Sequence, residues 1–190
     1  MLLYSGGEGL ANILVLNGSA RAGGFTGSLI SAFCKGAEEG GSSVRVINLS
    51  SLKIHSCIGC LKGGKDALHP CTIKDDMDII YSEMKTAEVI VFATPLFFWS
   101  YSGVLKNVID RLWALAECDR KMLIGNGRAG ALLVSAGGSH PGLLYEHFDY
   151  MMSRLAWKNL KYAEILHTDE QDINNIPFCE SAYRLGKDIG

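Results

Sequence analysis

Apolar runs and stretches of helical spacing alternate along the chain. Continuous or alternating apolar residues, as in NILVLNG and EVIVFATP, predict five strands, over residues 12–18, 43–50, 88–95, 129–138 and 160–168. Apolar residues at helical spacing predict five helices, over residues 26–40, 74–87, about 103–117, 141–157 and 178–189. Strands and helices therefore follow one another from end to end.

This alternation predicts an α/β fold in which helices cover both faces of a parallel sheet. Five strands in 190 residues favour a flavodoxin-like three-layer sandwich with strand order 2-1-3-4-5 over a six-stranded dinucleotide fold. No repeat or linker divides the sequence. We therefore expect a single domain over residues 1–190, in which the glycine-rich residues 1–11 form a flexible arm.

Composition excludes several classes of protein. A net charge of −2 provides no broad basic field, so we expect no nucleic-acid partner. The most apolar stretch, VIVFATPLFFWSYSGVL, is interrupted by polar residues, proline and glycine, so we expect no membrane span. The first residues, MLLYSGGEGLAN, lack the features of a secretory signal, and six cysteines in a chain of this length do not indicate a disulfide scaffold. Together these features place the protein in the cytoplasm.

Ligands of such sheets bind beyond the carboxyl ends of the strands, so the loop after the first strand is a candidate site. This loop, NGSARAGGFTGS (17–28), combines the positive charge of Arg21 with the hydroxyls of Ser19, Thr26 and Ser28 at the start of a helix. Helix amides, hydroxyls and a guanidinium together predict an anion site of phosphate type. The sequence of this loop matches neither a Walker A sequence nor a dinucleotide-binding fingerprint. The alternative is a plain connection in which Thr26 caps the helix.

The loop after the third strand is rich in aromatic residues. In TPLFFWSYSGVLKNVIDR (94–111), Pro95 ends the strand and is followed by Phe97, Phe98, Trp99 and Tyr101. This composition favours contact with a flat, conjugated ligand. The alternative is that these rings belong to the core or to a subunit interface.

The loop after the fourth strand, SAGGSH (135–140), contains paired glycines that let the backbone approach a ligand closely. A tight turn into the next helix explains the same residues. His140 is either a ligand contact or an exposed loop histidine.

The segment CIGCLKGGKDALHPC (57–71) is the other candidate for chemistry. Cys57, Cys60 and Cys71, with His69 or His55, are a possible ligand set for structural zinc. The spacing of His69 and Cys71 is tight for two ligands of one ion, which counts against zinc.

Three segments of the chain together resemble the flavin-binding loops of the NADPH-dependent FMN reductase family. They are NGSARAGGFTGSLI, TPLFFWSYSGVLKNVIDR and VSAGGSH. The resemblance extends from about residue 12 to residue 168, with the loops in the same order. CIGC followed by CTIKDDM is similar to the iron–sulfur flavoprotein branch of that family.

The resemblance implies FMN as the cofactor and assigns its contacts. The phosphate would be held by Ser19, Arg21, the main chain of Phe25, Thr26 and Ser28. The isoalloxazine ring would be lined by Pro95, Leu96, Phe97, Phe98, Trp99 and Ser100. The flavin edge or ribityl chain would face Ser135, Ala136, Gly137 and Gly138. No catalytic side chain is implied, since the flavin carries the chemistry, and Asp110 and Arg111 would be structural.

The resemblance also implies an activity. It indicates an FMN-dependent NAD(P)H oxidoreductase that takes a hydride from NADPH or NADH and reduces a quinone, free flavin, or a nitro- or azo-aromatic acceptor. A homodimer or homotetramer is implied, with the neighbouring subunit completing the flavin pocket. The alternatives are an electron-transfer protein with a cluster beside FMN, and a non-enzymatic binding module with or without structural zinc.

The cysteine segment departs from the iron–sulfur branch at one position. That branch supplies four ligands as Cys-x-x-Cys-x-x-Cys and a further Cys. Here Cys57, Cys60 and Cys71 match three of these places, and Gly63 occupies the remaining one. Because a four-iron cluster is normally held by four thiolates, we expect a lid or subunit contact with free thiols rather than an intact cluster.

Overall fold

The computed structural model describes residues 11–21, 23–138 and 140–189. The arm predicted over residues 1–11 lies, apart from Ala11, outside the described residues. None of the described helices is long and apolar enough to cross a membrane.

A parallel sheet of five strands forms the centre of the fold. Its strands are β1 (Asn12–Asn17), β2 (Ser43–Asn48), β3 (Val89–Pro95), β4 (Ala129–Ser135) and β5 (Lys158–Ile165). They lie in the order β2-β1-β3-β4-β5, which confirms the predicted order. The chain places β2 on one side of β1 and β3 on the other side. The direction in which successive strands are added to the sheet therefore reverses between β1 and β3. Loops at this point leave a crevice beyond the carboxyl ends.

Helices cover both faces. They are α1 (Phe25–Glu39), α2 (Met77–Met84), α3 (Gly103–Arg111), α4 (Trp113–Cys118), α5 (Gly142–Leu155) and α6 (Glu180–Lys187). Alternate strand residues serve two separate cores: Leu16 and Phe92 pack with α2 to α5, whereas Val15 and Val91 pack with α1 and α6. The three-layer α/β sandwich is therefore confirmed.

Helices α1 and α6 approach each other through glycine. A Cβ atom at Gly36 would overlap the carbonyl oxygen of Tyr183, and one at Gly186 would overlap the carbonyl oxygen of Phe33. The absence of a side chain at both positions lets the two backbones meet.

Several predicted element boundaries differ from the structure. The predicted strands over 129–138 and 160–168 end at Ser135 and Ile165, and the residues that follow form loops. The single helix predicted over about 103–117 is two helices, α3 and α4, which meet at Leu112. The helix predicted to begin at residue 74 begins at Met77, because the carboxylate of Asp76 instead accepts a hydrogen bond from the amide of Lys53 at 2.7 Å.

A buried ion pair joins α3 to the segment that precedes α2. Nη1 of Arg111 lies 2.5 Å from Oδ2 of Asp75, and their side chains are 0% and 2% exposed. Arg111 also donates to the carbonyls of His55 at 3.3 Å and Ile73 at 3.1 Å. Burial by itself would raise the pKa of the Asp75 carboxyl, but hydrogen bonds from Arg111 and from backbone amides outweigh it and hold that pKa at about 2. Arg111 is therefore structural, as the sequence indicated.

We predict that Asp75→Asn destabilises the fold by about 3 to 5 kcal/mol near neutral pH, because it leaves the Arg111 charge buried without its counter-ion. The pKa of Asp75 is lower in the folded state than its ordinary 3.8, so its contribution is complete above that value and declines as the pH falls toward 2. The free-energy difference between the natural chain and the variant should shrink over the same range. Urea unfolding at several pH values measures it.

Asp110→Asn is the matched control. Asp110 pairs with Lys106 on the exposed face of α3, where both side chains are more than 40% exposed. Its loss should cost less than about 1 kcal/mol. Equal losses in the two variants would contradict the structural role of the buried pair.

Candidate functional site

A cleft of about 210 Å³ lies beyond the carboxyl ends of the strands, where the three predicted loops meet. Its lining comes from the loop after β1, the loop after β3, the end of β4 and the segment after β5. The lining residues are Ser19, Ala20, Arg21, Gly24, Phe25, Thr26, Pro95, Leu96, Phe97, Ser135, Gly137, Thr168 and Ile173.

The loop after β1 is held in its curved shape by side chains at its base. Asn17 accepts a hydrogen bond from the amide of Ser19 at 2.9 Å and donates one to Asn48 at 2.9 Å. The hydroxyl of Ser19 in turn accepts from the amide of Arg21 at 3.2 Å. A Cβ atom at Gly18 would lie 2.5 Å from Oγ of Ser102, so only glycine allows this loop to pack against the start of α3.

The first turn of α1 opens onto the cleft without a side-chain cap. The N-cap residue is Gly24, and no side chain accepts a hydrogen bond there. The alternative in which Thr26 caps the helix is therefore wrong, because Thr26 lies inside the first turn. The amides of a first helical turn have no intrahelical acceptor, and the helix end favours negative charge. With Arg21 beside them, they form an arrangement suited to a phosphate.

Two hydroxyls join this helix to the sheet. Oγ1 of Thr26 lies 2.8 Å from Oγ of Ser135, and both residues are buried. The contact spans 109 positions of the sequence and fixes α1 against the end of β4. Only one of these hydroxyls donates in this bond, so the other keeps its proton for a ligand. Ser28, two residues further along α1, is not among the residues that line the cleft.

The loop after β3 is anchored at both ends. The amide of Leu96 donates to the carbonyl of Ser135 at 2.8 Å, and the amide of Ser102 donates to Oγ1 of Thr94 at 2.9 Å. Between these anchors, Phe97 and Ser100 exchange two backbone hydrogen bonds of 3.1 Å.

Phe98 and Trp99 form the tip of that loop with positive φ angles of 50° and 59°. Two central residues with positive φ between hydrogen-bonded partners make a type I′ turn, which favours Asn-Gly. Each non-glycine residue in this region costs about 1 to 2 kcal/mol. Of the six residues assigned to the isoalloxazine ring, Pro95, Leu96 and Phe97 line the cleft; Phe98, Trp99 and Ser100 are not among its described lining residues.

The remaining wall comes from β4 and from the segment after β5. Ser135 and Gly137 line the cleft, whereas Ala136 and Gly138 do not. Thr168 and Ile173 also line it, although sequence reasoning did not propose them. The available signal was their position at and just beyond the end of the fifth predicted strand, because all parallel strands deliver their following segments to the same edge.

The lining determines which chemistry is available. It combines one guanidinium, four hydroxyl side chains and an apolar, partly aromatic wall, and the described lining residues include no Asp, Glu or His. Such a set can bind an anion attached to a flat body. It supplies no general acid–base pair of its own.

A larger cavity, of about 540 Å³, lies at the opposite, amino-terminal edge of β3 and β4. Arg128 reaches into it and donates to the carbonyls of Ala87 at 3.0 Å, Met122 at 2.7 Å and Met84. Burial lowers the pKa of this guanidinium. These bonds join the carboxyl end of α2 to the start of β4, so the residues of this cavity serve the fold. It also lies at the edge where ligands of doubly wound sheets do not bind.

The cysteine segment lies against α4. The amide of Gly64 donates to the carbonyl of Pro70 at 2.8 Å, and Sγ of Cys118 lies 3.7 Å from the carbonyl oxygen of Asp66. Sγ of Cys60 lies 3.3 Å from the hydroxyl of Thr72, which lowers the pKa of that thiol. All six cysteines are free thiols.

Neither zinc nor a four-thiolate cluster fits the residues of this segment. Among the described residues, no group of three or more His, Cys, Asp or Glu side chains is placed to hold a metal ion. His55 and His69 instead contact the carboxylates of Asp75 and Asp78, at 3.1 and 2.8 Å.

The missing ligand position is itself occupied by another residue. A Cβ atom at Gly63 would overlap Oε2 of Glu117 and lie 2.9 Å from the carbonyl oxygen of Pro70. The carboxylate end of the Glu117 side chain thus lies where the Cβ atom of a cysteine at position 63 would stand.

Comparisons with known proteins identify relatives of this chain. An iron–sulfur flavoprotein of Methanosarcina thermophila is 33% identical over 67% of this chain and 63% of its own length. An FMN-dependent NADPH-azoreductase of Staphylococcus saprophyticus is 31% identical over 69% of this chain and 67% of its own. The chain spans between 47% and 63% of the length of the iron–sulfur flavoproteins that it matches.

Solved structures share the fold at low identity. The NAD(P)H:quinone oxidoreductase of Methanothermobacter marburgensis superposes with a TM-score of 0.65 at 16% identity, covering 96% of this chain and all of that one. An azoreductase of Bacillus anthracis gives a TM-score of 0.66 at 15% identity, covering 94% of this chain and all of that one. Residues 11–162, which include the loops after β1, β3 and β4, match the family model described as NADPH-dependent FMN reductase. The chain therefore belongs to the NADPH-dependent FMN reductase family.

Proposed function

We propose that this protein is an FMN-dependent oxidoreductase that takes a hydride from NADPH or NADH and passes two electrons to a small aromatic acceptor. One observation carries the proposal: a single cleft joins the uncapped helix end and Arg21 to the aromatic wall that begins at Pro95. Bound FMN supplies the two-electron hydride chemistry that amino-acid side chains lack.

The residues present fit FMN. Ser19, Arg21, Thr26 and the amide of Phe25 would hold the phosphate, and Ser28 would contribute from the end of the first turn of α1. Pro95, Leu96 and Phe97 would border the isoalloxazine ring, together with the backbone that continues to Ser100. Ser135 and Gly137, with the backbone of Ala136 and Gly138, would face the ribityl chain or the flavin edge.

The size of the cleft limits how much of the flavin this chain can enclose. At about 210 Å³ it is smaller than the roughly 300 to 1,000 Å³ of enclosed small-molecule sites. The phosphate and ribityl chain would occupy it, and one face of the ring would remain open beside Phe97. A neighbouring subunit in a homodimer or homotetramer would complete the pocket.

The open face is where both substrates would react. Reduced nicotinamide would give up a hydride, and a quinone acceptor would take up two electrons and two protons, one of which would come from water. The relatives include an azoreductase, and the shared fold includes a quinone oxidoreductase, which supports flat aromatic acceptors such as quinones, free flavin, and nitro- or azo-aromatics. We place this activity in the cytoplasm, in a single domain that comprises residues 1–190.

The proposal predicts a change of spectrum and its dependence on Arg21. Anaerobic protein reconstituted with FMN should show resolved flavin bands that bleach on addition of NADPH or NADH. Arg21→Ala should weaken FMN binding by about 10- to 100-fold, because a charge-assisted hydrogen bond to the phosphate is lost. Fluorescence titration of the apoprotein with FMN measures the affinity.

Arg120→Ala, which removes an exposed guanidinium remote from the cleft, is the control and should leave FMN affinity unchanged. A chain that takes up no FMN would refute the flavin function. Equal affinities for the natural chain and Arg21→Ala would refute the assignment of the phosphate to the loop after β1.

A second prediction separates this function from electron transfer through a cluster. The natural chain, incubated anaerobically with iron and sulfide, should acquire no stoichiometric iron, because Gly63 provides no thiolate and the described residues contain no group of three ligands placed to hold a metal ion. Stoichiometric iron with broad visible absorbance in the natural chain would contradict this account.

A further inference from the structure

Two of the six free thiols lie three positions apart at the beginning of the cysteine segment. Cys57 is exposed and Cys60 is half-buried, and neither is among the described lining residues of the cleft. No metal explains the pair, because the described residues include no group of three ligands placed to hold an ion. Two thiols at Cys-x-x-Cys spacing can close a disulfide, and pairs of this kind carry out thiol–disulfide exchange.

The surroundings of Cys60 favour its thiolate form. Its sulfur lies 3.3 Å from the hydroxyl of Thr72, and the amide of Lys62 provides a second hydrogen bond. These donors, Thr72 above all, hold the pKa of the Cys60 thiol below its ordinary value. Because the thiolate is the form that attacks a disulfide, Cys60 is the nucleophile of the pair.

Cys57 and Cys60 are carried on one curled stretch of backbone. Positive φ angles at Gly59 and Leu61, of 62° and 49°, bend the chain on both sides of Cys60. The amide of Gly59 donates to the sulfur of Cys57 at 3.4 Å, which favours a thiolate there as well. Both sulfurs therefore accept hydrogen bonds from this short turn or its immediate neighbours.

This turn can change shape without disturbing the fold. Residues 57–62 make no backbone–backbone hydrogen bond with any described residue, and a Cβ atom at Gly59 would meet no described atom within 4 Å. The side chains of Ile58 and Leu61 are 71% and 80% exposed. A disulfide requires Cα atoms within about 7 Å of each other, and so loosely held a turn can reach that separation.

The contacts that fix the segment lie outside the turn. The hydroxyl of Ser56 donates to the side-chain oxygen of Asn107 at 3.1 Å, and the amide of Gly64 donates to the carbonyl of Pro70 at 2.8 Å. Closure of a disulfide between these two anchors breaks neither of them.

The other four cysteines lie in surroundings that suit a thiol. Burial raises the pKa of Cys34 to about 11. Burial, with a smaller effect of nearby carboxylates, also raises the pKa of Cys118. Cys179 is buried, and Cys71 packs against the core. The accessible, thiolate-favouring environment is therefore specific to the turn at residues 57–62.

We propose that Cys57 and Cys60 form a reversible dithiol–disulfide couple that exchanges electrons with small disulfides of the glutathione class. This activity goes beyond the flavin function and does not depend on it.

The exchange proceeds in two balanced steps. The Cys60 thiolate attacks one sulfur of oxidised glutathione, forms a mixed disulfide and releases one glutathione thiolate. The Cys57 thiolate then attacks the Cys60 sulfur, closes the protein disulfide and releases the second glutathione thiolate. The protein loses two electrons to glutathione, and its two thiol protons end on the two released glutathione molecules.

Counting thiols after incubation with glutathione tests the proposal. The natural chain is incubated anaerobically with excess oxidised glutathione, quenched with acid, unfolded and alkylated with iodoacetamide. Mass spectrometry should show a loss of two alkylated cysteines from the six free thiols of the reduced chain, and peptide mapping should place both at Cys57 and Cys60. Excess reduced glutathione should restore all six.

Single variants separate the two roles. Cys57→Ser should stop at a mixed disulfide on Cys60, because the thiol that resolves it is absent. Cys60→Ser should slow the first step at least about tenfold, because it removes the thiolate that attacks. Cys118→Ser is the matched control, and it should form the disulfide at the rate of the natural chain.

Each other outcome overturns the inference. A natural chain that keeps six alkylated cysteines in excess oxidised glutathione has no such couple. A natural chain that stops at the mixed disulfide, or that joins Cys60 to Cys71, lacks the proposed pair. None of these results bears on FMN affinity, which is measured separately. A chain that binds no FMN but forms the Cys57–Cys60 disulfide would refute the flavin function and support this inference.

Discussion

The loops beyond the carboxyl ends of the strands depend on the buried ion pair between Arg111 and Asp75 for their position. A guanidinium with no solvent exposure is tolerated where its charge is paired, and here Asp75 balances the charge while the carbonyls of His55 and Ile73 accept from Nη1 and Nη2. Tyr81 completes the arrangement by donating to the carbonyl of Arg111 at 2.8 Å. The end of α3 is thereby fixed to α2 and to the irregular segment between β2 and α2.

This anchor connects the two parts of the molecule that carry candidate chemistry. Helix α3 begins at Gly103, immediately after the loop with the strained aromatic tip, and ends at Arg111. The cysteine segment lies between the residues whose backbone Arg111 holds, His55 and Ile73. A disturbance of the pair would therefore shift both the cleft rim and the cysteine segment, although neither contains a member of the pair.

The centre of the sheet could be predicted from sequence because β1, β3 and β4 are buried on both faces and read as continuous apolar runs, such as Ile13–Leu16 in β1. The boundary of α2 could not, because Asp75 and Asp76 have the composition of a first helical turn but bond to Arg111 and Lys53 instead. Those partners lie 36 and 23 positions away, and no local pattern specifies them.

In the candidate site too, features set by the local sequence could be predicted, whereas features set by distant residues could not. The loops after β1, β3 and β4 were predicted from small, basic and aromatic residues in a known position of the fold. The contact of Thr26 with Ser135 and the filling of the Gly63 position by Glu117 depend on tertiary approach. The turn at Phe98 and Trp99 lacks the Asn or Gly that would have indicated positive φ, since the strain there is imposed by the bonds around it.

In the function proposed above, the uncapped end of α1 and Arg21 hold the phosphate of a flavin. Isothermal titration of the apoprotein with FMN and with riboflavin, which has the same ring but no phosphate, isolates the contribution of that phosphate. FMN should bind at least about 100-fold more tightly, as expected for two or more charge-assisted hydrogen bonds to the phosphate. Equal affinity for the two flavins would contradict it.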